Sequence, residues 1–272
     1  MLRTYVSALL LSLSATAASA GVYSGPSQTS HPIDAAIPSN SPLFTEWADE
    51  IDASRTFFAP RGSTTISTTG FNSLGDLDAT QIAAGNPVGY LTVTFPTGVR
   101  NAAGADFAIF ENGFAFGAPN GLFAELAYVE VSSNGVDFAR FPSVSTNEAP
   151  VTGSGAFAGF DMSNVYNLAG KHAGGFGTPF NLDDLLAHPL VTSGNVNLAN
   201  IQYVKLVDIP GNGSYLDSLG NPIRDNWMTT GSGGFDFRLP ASQGVGVINA
   251  VPEPSTLALA GVAALLAWRQ RR

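Results

Sequence analysis

Leu126-Ala127-Tyr128-Val129-Glu130-Val131-Ser132-Ser133-Asn134-Gly135-Val136-Asp137-Phe138-Ala139-Arg140-Phe141 is the stretch that decides the fold. Ala127, Val129 and Val131 point one way and Tyr128, Glu130 and Ser132 the other, the period of a strand with one buried face. Ser133-Asn134-Gly135-Val136 then makes a tight turn, since Asn and Gly tolerate positive φ, so 126–141 is predicted to be a hairpin. Runs of similar β-branched and aromatic character recur at 90–95, 106–110, 201–208 and 234–239, between Gly and Pro residues too frequent for long helices. The fold class that follows is all-β: a single antiparallel β-sandwich, jelly-roll-like, with long Gly-rich loops. No repeat of fixed period argues for a propeller or solenoid.

Outward from the hairpin, residues 21–42 are rich in Ser, Pro, Gly and Thr and read as an extended N-terminal segment. The sandwich domain spans 43–240. Within it, 43–51 is expected to form a short helix. The Gly-, Ala- and Asn-rich stretch 147–177 is expected to be a surface excursion, with Lys171 and His172 on exposed loops. A second short helix is expected at 182–187, capped by Asn181 or Thr178. Residues 241–250 thin into a small-residue linker.

The ends carry a different kind of signal. Arg3, an apolar run over 5–13 and Ala18-Ser19-Ala20 follow the order of a secretory signal peptide, 1–20, with cleavage after Ala20. At the other end, Val251-Pro252-Glu253-Pro254-Ser255 precedes an apolar run over 256–268, and Arg269, Arg271 and Arg272 close the chain. The terminal arginines favour the cytoplasmic side of a membrane crossed by that run. This segment, 251–272, resembles the PEP-CTERM sorting signal of Gram-negative bacteria, with Val251, Pro252, Glu253 and Pro254 as its motif. The resemblance implies an exosortase-type transpeptidase as partner and a C-terminal helix that enters the inner membrane transiently. It further implies release to the cell surface or extracellular matrix, in association with exopolysaccharide and biofilm.

Four of the twelve basic residues, Arg3, Arg269, Arg271 and Arg272, lie outside residues 21–254, so that body holds eight against 21 acidic residues, a net charge near −13. Such a surface repels nucleic acid and favours solubility or divalent cations. The absence of cysteine excludes disulfides, thiolate metal sites and cysteine nucleophiles together. The three histidines, His31, His172 and His188, are too scattered for a zinc spacing, and no Gly-x-Ser-x-Gly elbow or phosphate-binding Gly loop occurs.

Three pieces of the body, at 106–113, 129–138 and 204–211, resemble a family of uncharacterised bacterial cell-surface proteins. The middle piece is also similar to the hairpin of discoidin-like and other galactose-binding-type jelly rolls, with Asn134 where that pattern often has Asp.

Asp208, Asp217, Asp225 and Asp236 gather in a Gly-rich tract, and hard oxygen ligands on loops suit calcium, although the spacing is not that of an EF-hand. Aspartates in such tracts also make turns through their own backbone. Glu111, Asn112 and Glu125 form a second polar set that completes the same ion site, binds a sugar or satisfies loop amides. Glu111 with Glu125 or Asp236 would be the carboxylate pair of a glycosidase, for which sequence supplies no separation. The expectation is a non-enzymatic exported surface protein, with a calcium-dependent carbohydrate-binding module and a secreted glycan hydrolase as rivals.

Overall fold

Val129 and Val131 lie in register beside Leu206 and Val204, and Val131 also pairs with Ala139, so the predicted hairpin forms and joins the longest strands of the protein. The structure is a computed structural model and describes residues 21–252 apart from 118, 155–156, 229–232 and 240–243. The signal peptide and most of the sorting segment, including Glu253 and Pro254, lie outside the described residues.

Two five-stranded antiparallel sheets make the sandwich. One runs Ala139–Arg140, Ala127–Ser132, Ile201–Asp208, Tyr90–Val99 and Glu50–Ile51. The other runs Ile37–Pro38, Phe176–Phe180, Phe107–Ile109, Val245–Val247 and Glu46–Trp47. Leu91, Val93, Val129, Val204 and Leu206 share one hydrophobic cluster with Phe107, Ile109, Phe180, Val245 and Val247 of the opposing sheet. Phe107 stacks on Phe180 at 5.3 Å and meets Phe141 edge-on at 5.9 Å. Each buried Phe contributes about 1.5–3 kcal/mol, so this triplet is a major part of the core.

The strand Ala127–Ser132 departs from the alternation expected of it, because all six residues are buried. Tyr128 packs with Leu126, Phe160, Met162 and Val207 in a second cluster, and Glu130 is held by Arg140 at 2.7 Å and Lys205 at 3.0 Å. The cover comes from 147–177, which is therefore no excursion: it contributes the strand Phe157–Asp161, and Lys171 and His172 are fully buried. Its glycines mark close backbone approach. A Cβ on Gly159 would lie 2.1 Å from the Phe116 carbonyl oxygen, and one on Gly170, at φ +85°, 2.0 Å from that of Glu125.

Two further expectations change. In place of a helix at 43–51, Glu46–Trp47 and Glu50–Ile51 are edge strands of opposite sheets, since Ala48 donates its amide to Val245 while Asp52 donates to Thr92. Trp47 and Ile51 have helical spacing, but Trp47 packs on Phe44 and Phe110 outside one sheet, whereas Ile51 enters the main core. The stretch expected as a linker contains the buried strand Val245–Val247, inserted between Phe107–Ile109 and Glu46–Trp47. At 182–187 a 3-10 turn forms over Leu182–Leu185, and the Asn181 side chain accepts from the Asp183 amide as its cap.

Candidate functional site

Strand ends bring six carboxylates to one region. Asp208 closes Ile201–Asp208 and sits opposite Ala127, two residues after Glu125. Glu111 follows Phe107–Ile109 by two residues, and Asp225 follows Pro222–Arg224 directly. Asp236 opens Asp236–Arg238 and pairs with Ser73, three residues before Asp76. Asp76 was not singled out in the sequence, where it stands beside a Gly in Leu74-Gly75-Asp76-Leu77.

These acids repeat one hydrogen-bonding pattern. Asp208 accepts the Phe235 amide on Oδ1 at 2.9 Å, Asp225 the Leu126 amide on Oδ2 at 2.7 Å, Asp76 the Met228 amide on Oδ2 at 2.8 Å, and Glu111 the Gly113 amide on Oε2 at 2.5 Å. The other oxygen of each is buried with no hydrogen-bond partner, as is Oε1 of Glu125. An unmet buried polar atom costs about 1–3 kcal/mol, so five in one region are a large unsatisfied demand. Asp236 differs: its oxygens accept from the Ser73 hydroxyl and from Asn112 Nδ2.

The electrostatics follow. Burial, then the charges of Glu111, Asp236, Asp225 and Asp208, push the Glu125 carboxyl up to about 11. Burial pushes Glu111 up to about 8, with Asp236 adding to it against the Asn112 and Gly113 amides. Asp208 and Asp225 are raised well above the usual carboxylate range by burial, and Asp76 is raised for the same reason, with Arg61 pulling the other way. Each group resists ionising beside its neighbours, and a cation among them would reverse that.

Asp217 stands apart from the other three aspartates named with it. It caps the turn between Asn212–Leu216 and Pro222–Arg224, accepting the Leu219 and Asn221 amides at 2.9 and 2.8 Å and the Ser145 amide at 2.8 Å. Burial raises its pKa, but these bonds together hold it below the ordinary range. Among the described residues no three acidic or histidine side chains converge into a ready-made metal site.

Two clefts flank the carboxylates. One of about 270 Å³ is lined by Phe71, Phe110, Glu111, Asn112, Asp236 and Arg238, and the Arg238 guanidinium lies 5.2 Å above the Phe71 ring. The other, about 610 Å³, includes Asp225, Trp227, Met228 and Gly211. Trp227 is fixed by its indole N–H to the Leu77 carbonyl at 2.8 Å.

The chain is an all-β sandwich whose strand Val245–Val247 leads toward the C-terminal segment, with Val251 donating its amide to the Gly98 carbonyl at 3.1 Å. From there it carries a PEP-CTERM protein-sorting motif, matched over residues 250–272. That motif makes it an exported surface protein processed by an exosortase-type system. No curated protein and no solved structure matches the chain. Among the described residues no helix is long and apolar enough to cross a membrane.

Proposed function

We propose that this exosortase-sorted protein is a non-enzymatic component of the extracellular matrix whose sandwich holds calcium among Glu111, Glu125, Asp208 and Asp225. The observation that carries the reading is the set of buried carboxylate oxygens without partners. Calcium takes six to eight oxygens in flexible geometry, and extracellular modules work with dissociation constants of about 10⁻⁴–10⁻³ M. The ion draws the side chains inward by small rotations, and carbonyls and water complete its shell. With a body near −13, the protein joins acidic exopolysaccharide through calcium rather than by direct charge pairing. The apolar run 256–268 holds it in the inner membrane of a Gram-negative cell until the transpeptidase acts. In a calcium-dependent carbohydrate-binding form of this reading, the cleft between Phe71 and Asn112 takes a sugar.

Thermal unfolding in chelator and in calcium tests the ion. The melting temperature rises with calcium, and Asp225→Asn abolishes the rise; an identical melt in both conditions contradicts the reading.

One observation favours a glycan hydrolase instead: Glu111, pushed up to about 8, shares a cleft with Asp236. Against it, both Asp236 oxygens are engaged and the free oxygen of Glu111 is buried. Turnover of exopolysaccharide by the wild type, lost in Glu111→Gln, would establish catalysis and overturn the non-enzymatic reading.

A further inference from the structure

On the other side of residues 169–173, a buried lysine meets a single carboxylate. Lys171 is fully buried and Asp34 is 3 % exposed, and Lys171 Nζ is in direct contact with Asp34 Oδ2. Near the amine are the Ser24 hydroxyl at 3.5 Å and the Tyr23 ring at 5.7 Å. Asp34 Oδ1 accepts the Ser24 amide at 2.8 Å and lies 3.0 Å from His31 Nδ1. Behind them, the buried His172 reaches the Ser24 hydroxyl through Nε2 at 2.9 Å and the Thr178 hydroxyl through Nδ1 at 3.2 Å. We propose that Lys171 and Asp34 condense to an intramolecular isopeptide bond that staples the N-terminal segment to the sandwich.

The ion pair already holds every atom the reaction needs. One proton passes from the Lys171 ammonium to Asp34 Oδ2, giving a neutral amine and a carboxylic acid. The Nζ lone pair attacks Cγ and the new N–C bond forms. Negative charge gathers on Oδ1, where the Ser24 N–H already points. The Cγ–Oδ2 bond then breaks, and Oδ2 leaves as water with two of the three ammonium protons. The third stays on the amide nitrogen. Nothing is oxidised or reduced, and no co-reactant is consumed.

Two physical terms favour the product. A buried ion pair keeps a desolvation penalty of several kcal/mol per ion that a neutral amide does not carry. Groups fixed in contact also react with effective molarities of about 10⁵–10⁸ M, which offsets the preference of free acids and amines to stay apart in water. Burial pushes the Lys171 amine down to about 8 against the pull of Asp34, which brings its nucleophilic form within reach near neutral pH.

The bond would close a loop across 137 positions of sequence in a chain without cysteine. It would fix residues 21–34, whose contacts with the body include Tyr23 stacked on Tyr166 at 5.0 Å and the Tyr23 amide on the Ser163 carbonyl at 3.1 Å. An exported protein gains in this way the covalent closure that disulfides give others.

Mass spectrometry of the denatured exported protein, with its termini read from terminal fragments, tests the proposal without any variant. The expected mass is one water below that of the unmodified chain. Trypsin should yield the peptide ending at Arg55 joined to residues 141–205, uncut at Lys171. Lys171→Met restores full mass, while Asp34→Asn forms the same amide with loss of one ammonia in place of water. A wild-type chain of full mass that is cut after Lys171 overturns the proposal. So does a loss of water without the joined peptides, which places the dehydration elsewhere.

Discussion

Asn112 Nδ2 donates to Asp236 Oδ2 at 2.9 Å across 124 positions of sequence, tying the end of the central strand Phe107–Ile109 to the short strand Asp236–Arg238. The bond forms one wall of the smaller cleft and keeps Asp236 oriented beside the buried acids. Asn112→Ala is expected to destabilise the fold by about 1 kcal/mol, the net worth of one such side-chain hydrogen bond. The shift in denaturant midpoint at unchanged slope measures it.

Gly211 faces the carboxylate end at shorter range. A Cβ there would lie 1.7 Å from Asp225 Oδ1, the oxygen without a partner, and 2.6 Å from the Asp225 amide nitrogen. Gly211→Ala must therefore displace Asp225. A loss of about 1–3 kcal/mol is expected from overpacking, together with loss of the calcium-dependent rise in melting temperature. A variant that keeps the full calcium response would separate Asp225 from the ion.

Calcium itself has a predictable magnitude. At a free concentration 100-fold above its dissociation constant, one ion bound only by the folded state adds about 2.7 kcal/mol. Glu125→Gln, which removes the need to protonate this carboxyl on folding, should raise stability in chelator and, by deleting a ligand oxygen's charge, reduce the gain from calcium. Paired melts of wild type and variant in the two conditions read both signs.

The buried imidazole of His172 sets a pH dependence of its own. Burial lowers its pKa well below 6.5, with the Lys171 charge adding to this wherever that amine is not joined to Asp34, so the folded state holds it neutral. As pH falls below 6.5 the unfolded chain takes up a proton that the folded chain refuses, and stability falls by up to about 1.4 kcal/mol per pH unit. Lys171, Asp34 and His31 surround the same network. The raised carboxyls of Glu111, Glu125, Asp208 and Asp225 act oppositely, since in the folded state they keep protons that the unfolded chain releases between about pH 4 and their raised values. The contribution of His172 is thus the difference between wild type and His172→Asn, which should grow as pH drops from 6.5 to 5. Parallel curves for the two proteins would show that His172 does not titrate in that window.

Much of the sandwich was legible because its central strands carry their own signals. The strand Ile201–Asp208 and the hairpin around Asn134-Gly135 follow from β-branched runs and turn chemistry alone. Asn181 was legible as a cap because a side-chain oxygen before a short turn acts locally. What was not legible depends on distant partners. Glu46–Trp47 and Glu50–Ile51 have helix-compatible spacing and become strands only because sheet edges receive them. Residues 147–177 look like a loop by composition, yet their glycines let backbones approach closely at Phe116 and Glu125, Phe160 and Met162 pack with Tyr128, and Lys171 and His172 are buried. At the acidic end, residue type pointed to Asp208, Asp225, Asp236, Glu111 and Glu125, but spacing alone did not separate Asp217, whose oxygens are used by its own turn.

The most direct measurement is an anomalous difference map from crystals grown in calcium. The account predicts a peak bounded by Glu111, Glu125, Asp208 and Asp225, with the oxygens that lack partners turned toward it. A map with no peak there, and those carboxyls paired through shared protons, would contradict the calcium-holding function.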